Sequence, residues 1–176
     1  DRIADIDELK RLTKIPVLAT IPNSKQRRID LSDARSVLTE SFRTARINLQ
    51  YLNPGVERQV VGFTSSTSGE GKTFCAINMA TVMAASGKRT LLIDADMRRP
   101  RVHEYMEMPE GKGLSTYLVG EAAAEQVVRR SDVPGLDVIT AGPIPPNPLE
   151  LMESPRLAEL FKQMRGRYDQ IVVDAS

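Results

Sequence analysis

A glycine-rich loop between a short apolar strand and a long apolar helix constrains this sequence more than any other feature. Residues 60–63 form a β-branched apolar run, and residues 64–71 form a loop of serine, threonine and glycine. Lys72 and Thr73 then open a helix that is apolar almost all round and that ends at Gly87, as expected of a buried helix. Loop N–H groups and a helix N-terminus together bind polyphosphate. The pattern predicts that Lys72 reaches the β- and γ-phosphates of a nucleotide and that Thr73 ligates Mg²⁺.

One position departs from the general phosphate-loop pattern, because Ser66 stands where that pattern has glycine. A flexible serine-rich turn is the alternative interpretation. Gly69 and Gly71 at the tight part of the loop, with a strand before it and a helix after it, favour the nucleotide site. The residues expected to surround the nucleotide are Ser68, Gly69, Glu70, Gly71, Lys72, Thr73 and Phe74.

Aspartates follow two further apolar strands. Asp94 and Asp96 follow the strand at residues 90–93, and Asp174 ends the strand at residues 171–173. A strand–helix–strand unit is parallel, so these carboxylates should lie at the ligand-binding edge of the sheet, beyond the strand ends. Surface loop charges are the alternative. The predicted catalytic residues are Lys72, Asp94 and Asp96, with either aspartate as the base, and the predicted metal ligands are Thr73, Asp94 and Asp174.

Composition restricts the class of protein. The chain has 176 residues and a net charge of +1, which suits one α/β domain and does not indicate a nucleic-acid partner. One cysteine and one histidine exclude a disulfide framework and a Cys/His zinc cluster. No segment has the length of a membrane span and no signal peptide is visible. We therefore expect a single, soluble domain over residues 1–176, with a mostly parallel sheet flanked by helices.

The remaining segments predict a regular alternation of elements. Helices are expected at 1–14, 33–52, 102–108, 113–119, 122–130 and 149–164, and strands at 17–21 and 136–140. Ser32 or Asp33 would cap the second helix, and residues 23–33 read as a solvated polar loop. Glu40, Arg43 and Arg46 lie off the apolar stripe of that helix. They are interpreted from spacing alone as solvated ion pairs worth roughly 0.2–0.5 kcal/mol each.

Five motifs in order resemble those of the bacterial tyrosine kinases (BY-kinases), the cytoplasmic domains of polysaccharide co-polymerases. TSSTSGEGKTF matches the phosphate loop, LLIDADMRRPRVH the Walker A′ motif and YDQIVVDAS the Walker B motif. ESFRTARINLQ carries the E-x-x-R-x-x-R pattern, and PIPPNPLELMES resembles the proline-asparagine segment of the family. The opening LKRLTKIPVLATIP is similar to the segment that follows the second membrane span. The resemblance covers nearly the whole chain and implies a P-loop NTPase-like fold of the deviant Walker A superfamily.

The resemblance implies an ATP-dependent protein tyrosine autokinase that uses ATP and Mg²⁺ and regulates exopolysaccharide or capsule polymerisation and export. It implies a cytoplasmic domain of a bacterial inner-membrane protein, whose membrane-spanning portion lies on the same chain or on a partner. The acceptor would be the tyrosine-rich tail of a neighbouring subunit, in a ring that Glu40, Arg43 and Arg46 hold together. The adenine-side residues and the tail would lie beyond Asp174, so the kinase domain is expected to be incomplete at its C-terminus.

Two other functions remain open at this point. A partition- or septum-positioning ATPase of the same superfamily would place a second lysine near the start of the loop, where this chain has Ser66 and Thr67. That difference argues against the ATPase. A nucleotide-binding regulator without catalysis uses the same loop, so the sequence does not separate it from a kinase.

Overall fold

The computed structural model describes residues 6–33, 35–67 and 69–175, and these form helices on both faces of one sheet. The helices are α1 (Ile6–Leu12), α2 (Val37–Leu52), α3 (Lys72–Ala85), α4 (Val102–Tyr105), α5 (Leu114–Leu118), α6 (Ala124–Val127), α7 (Pro148–Met152) and α8 (Pro155–Arg167). The strands are β1 (Gln59–Phe63), β2 (Thr90–Asp94), β3 (Arg129–Arg130), β4 (Leu136–Ile139) and β5 (Gln170–Asp174). None of the helices in the described part of the chain combines the length and the apolar character needed to cross a bilayer.

The sheet brings the nucleotide motifs to one edge. Its strand order is β1-β5-β2-β4-β3, with parallel pairing throughout except for the antiparallel pair β3 and β4. Phe63 and Asp94 are both register partners of Asp174, so the three strands that precede the phosphate loop and the aspartates end at the same level. The expected α/β fold with a mostly parallel sheet is confirmed.

The two faces of the sheet carry separate apolar clusters. One packs α2, α3 and α4 against β-strand side chains such as Leu92 and Val172, and the other packs α5, α6 and α8 around Leu91 and Ile171. Helix α3 is buried continuously from Ala76 to Ala84, as its apolar sequence predicted. Burial on both faces leaves the strand ends as the place where polar side chains can meet.

Several predicted boundaries were wrong. Helix α2 begins at Val37 with Ser36 as its N-cap, because the Asp33 carboxylate accepts the Arg35 N–H in a local turn instead of capping a helix. The predicted helix 149–164 is two helices that meet at Ser154 and Pro155, since a residue before proline is disfavoured in helical geometry.

Three other expectations are corrected. Residues 17–21 form no strand; they lie along α2, where the Leu18 carbonyl accepts a hydrogen bond from Asn48 Nδ2 at 2.6 Å. Arg129 and Arg130 form β3 instead of ending a helix, because their backbone pairs with β4. The loop 23–33 is tied down by a bidentate ion pair between Arg28 and Asp132 at 2.6 and 2.8 Å, and is not simply solvated. Residues 1–5 of the predicted first helix lie outside the described residues.

Candidate functional site

The tight part of the phosphate loop depends on two glycines with left-handed backbones. Gly69 has φ +91° and Gly71 has φ +89°, a region that residues with a Cβ rarely adopt. Gly71 is the N-cap of α3, and its carbonyl accepts the Cys75 N–H at 2.9 Å. The first turn of α3 therefore presents its N–H groups towards the loop. Ser68, a predicted phosphate contact, lies outside the described residues.

The exposed start of the loop is braced by a carboxylate from within the loop itself. Glu70 Oε2 accepts hydrogen bonds from the backbone N–H groups of Ser66 at 3.1 Å and Thr67 at 3.4 Å, and Glu70 Oε1 accepts one from Ser66 Oγ at 3.1 Å. The bonds from Thr67 and then those from Ser66 lower the pKa of Glu70. The serine that replaces the usual glycine is thus held by the glutamate four residues later.

Lys72 joins the loop to the ends of two strands. Its ammonium donates to Asp96 Oδ2 at 3.1 Å and to the Ala175 carbonyl, and lies 3.5 Å from Asp174 Oδ1. The Lys72 side chain is 11% exposed, and Asp174 is fully buried. The ammonium therefore partly neutralises the cluster of carboxylates at this edge. Sequence reasoning identified both aspartates, but it missed the Ala175 carbonyl, since a backbone acceptor has no signal in residue type.

Asp94 differs from the sequence expectation. It is the last residue of β2 and fully buried, not beyond the strand end. Its Oδ1 accepts the Asp96 N–H at 3.2 Å and its Oδ2 accepts the Val102 N–H at 3.1 Å, so both oxygens shape the loop that follows. Asp94 has no exposed surface, so a direct contact with a metal would require the loop after β2 to move, and that predicted role stays a prediction.

The aspartates have opposite pKa shifts. Burial, followed by the nearby charge of Asp174, raises the pKa of Asp94 to about 7. Burial also raises the pKa of Asp174, against the hydrogen bond from Thr73 and the charge of Lys72. Burial acts in the same direction on Asp96, but the Arg99 N–H and Lys72 outweigh it and the pKa of Asp96 is lowered. Asp96 is therefore ionised at neutral pH, while Asp94 lies near its midpoint.

The geometry at Thr73 and Asp174 fits a magnesium ion. Thr73 Oγ1 donates to Asp174 Oδ2 at 2.7 Å, and Asp174 Oδ1 is a buried oxygen with no hydrogen-bond donor among the described residues. The described residues contain no group of three or more His, Cys, Asp or Glu side chains arranged to hold a metal. Mg²⁺ needs no such group, because it keeps waters and binds through one or two protein oxygens plus phosphates.

A cavity of about 700 Å³, here called the phosphate cavity, is lined by the phosphate loop and extends beyond it. Besides loop residues it is lined by Asp96, by Phe74, whose ring packs edge-to-face on Phe42 at 5.7 Å, and by Tyr105. Three arginines of the loop after β2 also line it: Arg98, Arg99 and Arg101. Sequence reasoning gave no role to these arginines, although the run RRPR that starts two residues after Asp96 was a usable signal.

The E-x-x-R-x-x-R face of α2 is more buried than its spacing suggested. Glu40 is exposed and pairs with Arg43 at 2.5 Å, as expected for neighbours on a helix. Arg43 and Arg46 are half-buried, and the Arg46 Nε is a buried donor without an acceptor among the described residues. The expected ion pair is confirmed for Glu40 and Arg43, whereas Arg46 forms no ion pair among the described residues and the interpretation is wrong for it.

Comparisons with known proteins place the chain among tyrosine kinases. Residues 58–176 match a family described as an AAA domain. The chain is 39% identical to tyrosine-protein kinase YwqD of Bacillus subtilis, over 83% of this chain and 62% of YwqD. It is 31% identical to tyrosine-protein kinase ptk of Acinetobacter johnsonii over 98% of its own length, and spans 25% of that relative. The solved BceF tyrosine kinase domain superposes with a TM-score of 0.86 at 35% identity, over 97% of this chain and 75% of BceF.

Proposed function

Because this chain belongs to the bacterial tyrosine kinase domains, we propose that it binds ATP with Mg²⁺ and transfers the γ-phosphoryl group to tyrosine. The observation that carries this proposal is the Lys72 ammonium, which lies between Asp96 and Asp174 at the floor of the phosphate cavity. In such sites catalysis consists mostly of positioning and charge stabilisation, and the protein performs little covalent chemistry.

In the proposed reaction Lys72 turns from the carboxylates to the phosphates. Its present partners are two carboxylates and one carbonyl, and polyphosphate oxygens accept charge-assisted bonds from the same ammonium. The loop and first-turn N–H groups of Gly69, Glu70, Gly71, Thr73 and Phe74 hold the phosphates. Thr73 and Asp174 hold Mg²⁺, which supplies positive charge at the phosphate oxygens.

We propose Asp94 as the proton acceptor and Asp96 as the permanently ionised partner of Lys72. A base is most effective when its pKa is near the working pH, and paired carboxylates with diverging pKa values divide these roles. The tyrosyl oxygen bonds to the γ-phosphorus, and the bond from phosphorus to the β–γ bridging oxygen breaks. ADP leaves with that oxygen, and the tyrosyl proton passes to Asp94. Because Asp94 is fully buried, the loop after β2 must move for this contact.

The cellular role rests on the family resemblance. We propose that the full-length protein regulates exopolysaccharide or capsule polymerisation and export from the cytoplasmic side of a bacterial inner membrane. Its acceptor would be the tyrosine-rich tail of a neighbouring subunit. The α2 face with Glu40, Arg43 and Arg46 would contact that neighbour.

The proposal is tested with full-length protein, ATP labelled at the γ-position and Mg²⁺, followed by phosphoamino-acid analysis. We expect labelled phosphotyrosine that disappears when Mg²⁺ is chelated. Release of inorganic phosphate without phosphotyrosine would contradict the proposal and favour the partition-type ATPase. ATP binding with neither product would favour a non-catalytic regulator.

A further inference from the structure

A second cavity adjoins the phosphate cavity and shares its arginine wall. Arg98, Arg99 and Arg101 line both cavities, so the two are neighbours along the loop that follows β2. The second cavity has a volume of about 900 Å³ and is here called the acceptor groove. It is also lined by Pro100, Thr140, Gly142, Pro143 and Ile144.

The wall of the groove opposite the arginines is fixed by the fold. Arg129 donates to the Pro109 carbonyl at 2.6 Å and to Thr140 Oγ1 at 2.5 Å, which ties the loop carrying Glu110 and Gly111 to the end of β4. Backbone also packs closely there: a Cβ on Gly113 would lie 2.3 Å from the Thr140 carbonyl oxygen. The groove is therefore formed before any ligand enters it.

The groove starts two residues after Asp96, which lines the phosphate cavity beside Lys72. Asp96 Oδ1 accepts the N–H groups of Arg98 at 3.2 Å and Arg99 at 3.0 Å, while Asp96 Oδ2 accepts from Lys72. The arginine side chains thus extend into the groove from the loop that Asp96 holds in place. A molecule bound along this wall would have one end beside the cavity that Lys72 lines.

The residues that line the groove suit a peptide-binding site that prefers acidic side chains. Arg98 is exposed and forms no ion pair among the described residues, and Arg101 has a single long one, 3.5 Å to Glu104. Guanidinium groups bind carboxylates in a bidentate manner, and such contacts select acidic partners. Ile144 is 64% exposed and, with Pro100 and Pro143, provides an apolar surface for an aromatic ring or aliphatic side chain.

We propose that the acceptor groove binds the tyrosine-bearing segment of the protein substrate, and that Arg98 and Arg101 select segments with acidic residues beside the tyrosine. Ile144 packs against the apolar part of the same segment. This inference rests on the proposed kinase function and adds the chemical class of the acceptor to it. Charge complementarity identifies the occupant, since Glu104 and Glu110 are outnumbered by the three arginines of the shared wall.

Two fluorescein-labelled peptides test the selection. Both carry one tyrosine, flanked by glutamates in the first and by lysines in the second. Binding to full-length protein with Mg²⁺ and a non-hydrolysable ATP analogue is followed by fluorescence anisotropy. The glutamate peptide should bind about tenfold more tightly than the lysine peptide, a difference of one well-placed charge contact.

Three variants locate the contact. Arg101→Glu should abolish or invert the preference between the two peptides. Ile144→Glu should weaken the glutamate peptide by about tenfold and leave affinity for the ATP analogue unchanged, because Ile144 lines the groove and not the phosphate cavity. Arg165→Glu is an equal charge reversal on the exposed face of α8. It should change neither the preference between the peptides nor the affinity for the glutamate peptide. Melting curves establish that all three remain folded.

The outcomes separate this inference from the proposed function. Equal affinity for the two peptides, or an unchanged preference in Arg101→Glu, overturns the groove assignment even if phosphotyrosine forms. Selective binding of the glutamate peptide that depends on Arg101, with no phosphotyrosine from ATP, supports the groove and overturns the kinase.

Discussion

The two ends of the phosphate loop are held in different ways. At the C-terminal end, Lys72 and Thr73 bond to groups that lie 24 to 103 residues away in sequence, at the ends of β2 and β5. At the N-terminal end, Ser66 and Thr67 bond to Glu70, four and three residues away. The first end is partly buried and its geometry depends on the sheet, while the second is exposed and its geometry is local.

This difference predicts how changes at the two ends should behave. A group at the buried end has several partners in a low-dielectric site, so its loss leaves other charges unpaired. A group at the exposed end competes with water for each bond, and its loss costs little. Substitutions at the buried end should therefore slow phosphoryl transfer strongly. Substitutions at the exposed end should change the affinity for ATP only slightly.

The largest effect is expected for Asp174→Asn. The change removes the charge that faces Lys72, alters the acceptor of the Thr73 hydroxyl and weakens the proposed magnesium site. Phosphotyrosine formation should fall by about 10²–10³-fold, the usual loss for one preorganised charged group. Rates measured over a range of Mg²⁺ concentrations would show a raised metal requirement. Asp169→Asn is the control, because Asp169 pairs with Arg89 at the other end of the same strand. A variant Asp174→Asn with more than a tenth of the normal rate would contradict this account.

Asp94 should make stability depend on pH. Its pKa is about 7 in the folded chain and about 3.9 in an unfolded one, so the folded state holds the proton more tightly. Between about pH 4 and 7 the stability contribution of this group is lost as pH rises, by a few kcal/mol at most. Melting temperatures in magnesium-free buffer should therefore fall from pH 5 to pH 8.

Variants at the two aspartates after β2 check this assignment. Asp94→Asn should flatten the pH dependence, although one backbone N–H then faces an amide nitrogen instead of an oxygen. Asp96→Asn should leave the slope in this window unchanged, since the pKa of Asp96 is lowered. If melting temperature depended on pH identically in wild type and Asp94→Asn, the Asp94 carboxyl would titrate outside this pH range.

At the exposed end, Glu70→Ala should loosen the loop with little effect on ATP. The amides of Ser66 and Thr67 lose their carboxylate acceptor, so their hydrogen exchange should accelerate. Affinity for ATP should change by no more than about threefold, because water competes for each of these exposed bonds. Glu121→Ala is the exposed control. Unchanged exchange at both amides would mean that the Glu70 contacts do not persist in solution.

The smallest effect on the folded domain is expected from the triple alanine variant at Glu40, Arg43 and Arg46. Stability should fall by about 1 kcal/mol or less, since the pairs of Arg43 with Glu40 and of Arg46 with Gln50 are both exposed contacts along one helix. If these residues contact a neighbour, full-length protein should sediment as a smaller species and lose phosphorylation in trans while still binding ATP. Thr44→Ala on the same helix is the control. Identical sedimentation and activity would return the three residues to an intrahelical role.

The sequence predicted the parts of the site that follow from strand order and chain direction. The apolar runs before Asp94 and Asp174 indicated parallel strands, and parallel strands that end together bring their last residues to one edge. The buried α3 followed from its apolar residues. These features depend on period and burial, which residue types encode directly.

Other parts were not predictable because they depend on a choice among local hydrogen bonds. Asp33, Ser32 and Ser36 are all good capping residues, and the structure uses Ser36. The burial of both Asp94 oxygens against backbone N–H groups depends on the path of the loop to Val102, which residue type does not specify. The prediction of a single helix over 149–164 was wrong because it followed the apolar period and ignored the helix break that Pro155 causes.

The central claim is that residues at the buried end of the loop carry out phosphoryl transfer and that residues at the exposed end are not needed for it. Single-turnover phosphotyrosine formation at saturating ATP and Mg²⁺, in full-length Lys72→Met and Glu70→Ala, tests it most directly. Lys72→Met should lose about 10²–10³-fold in rate, and Glu70→Ala should keep at least about a third of the wild-type rate. A near-normal rate in Lys72→Met, or similar losses in the two variants, would contradict the claim.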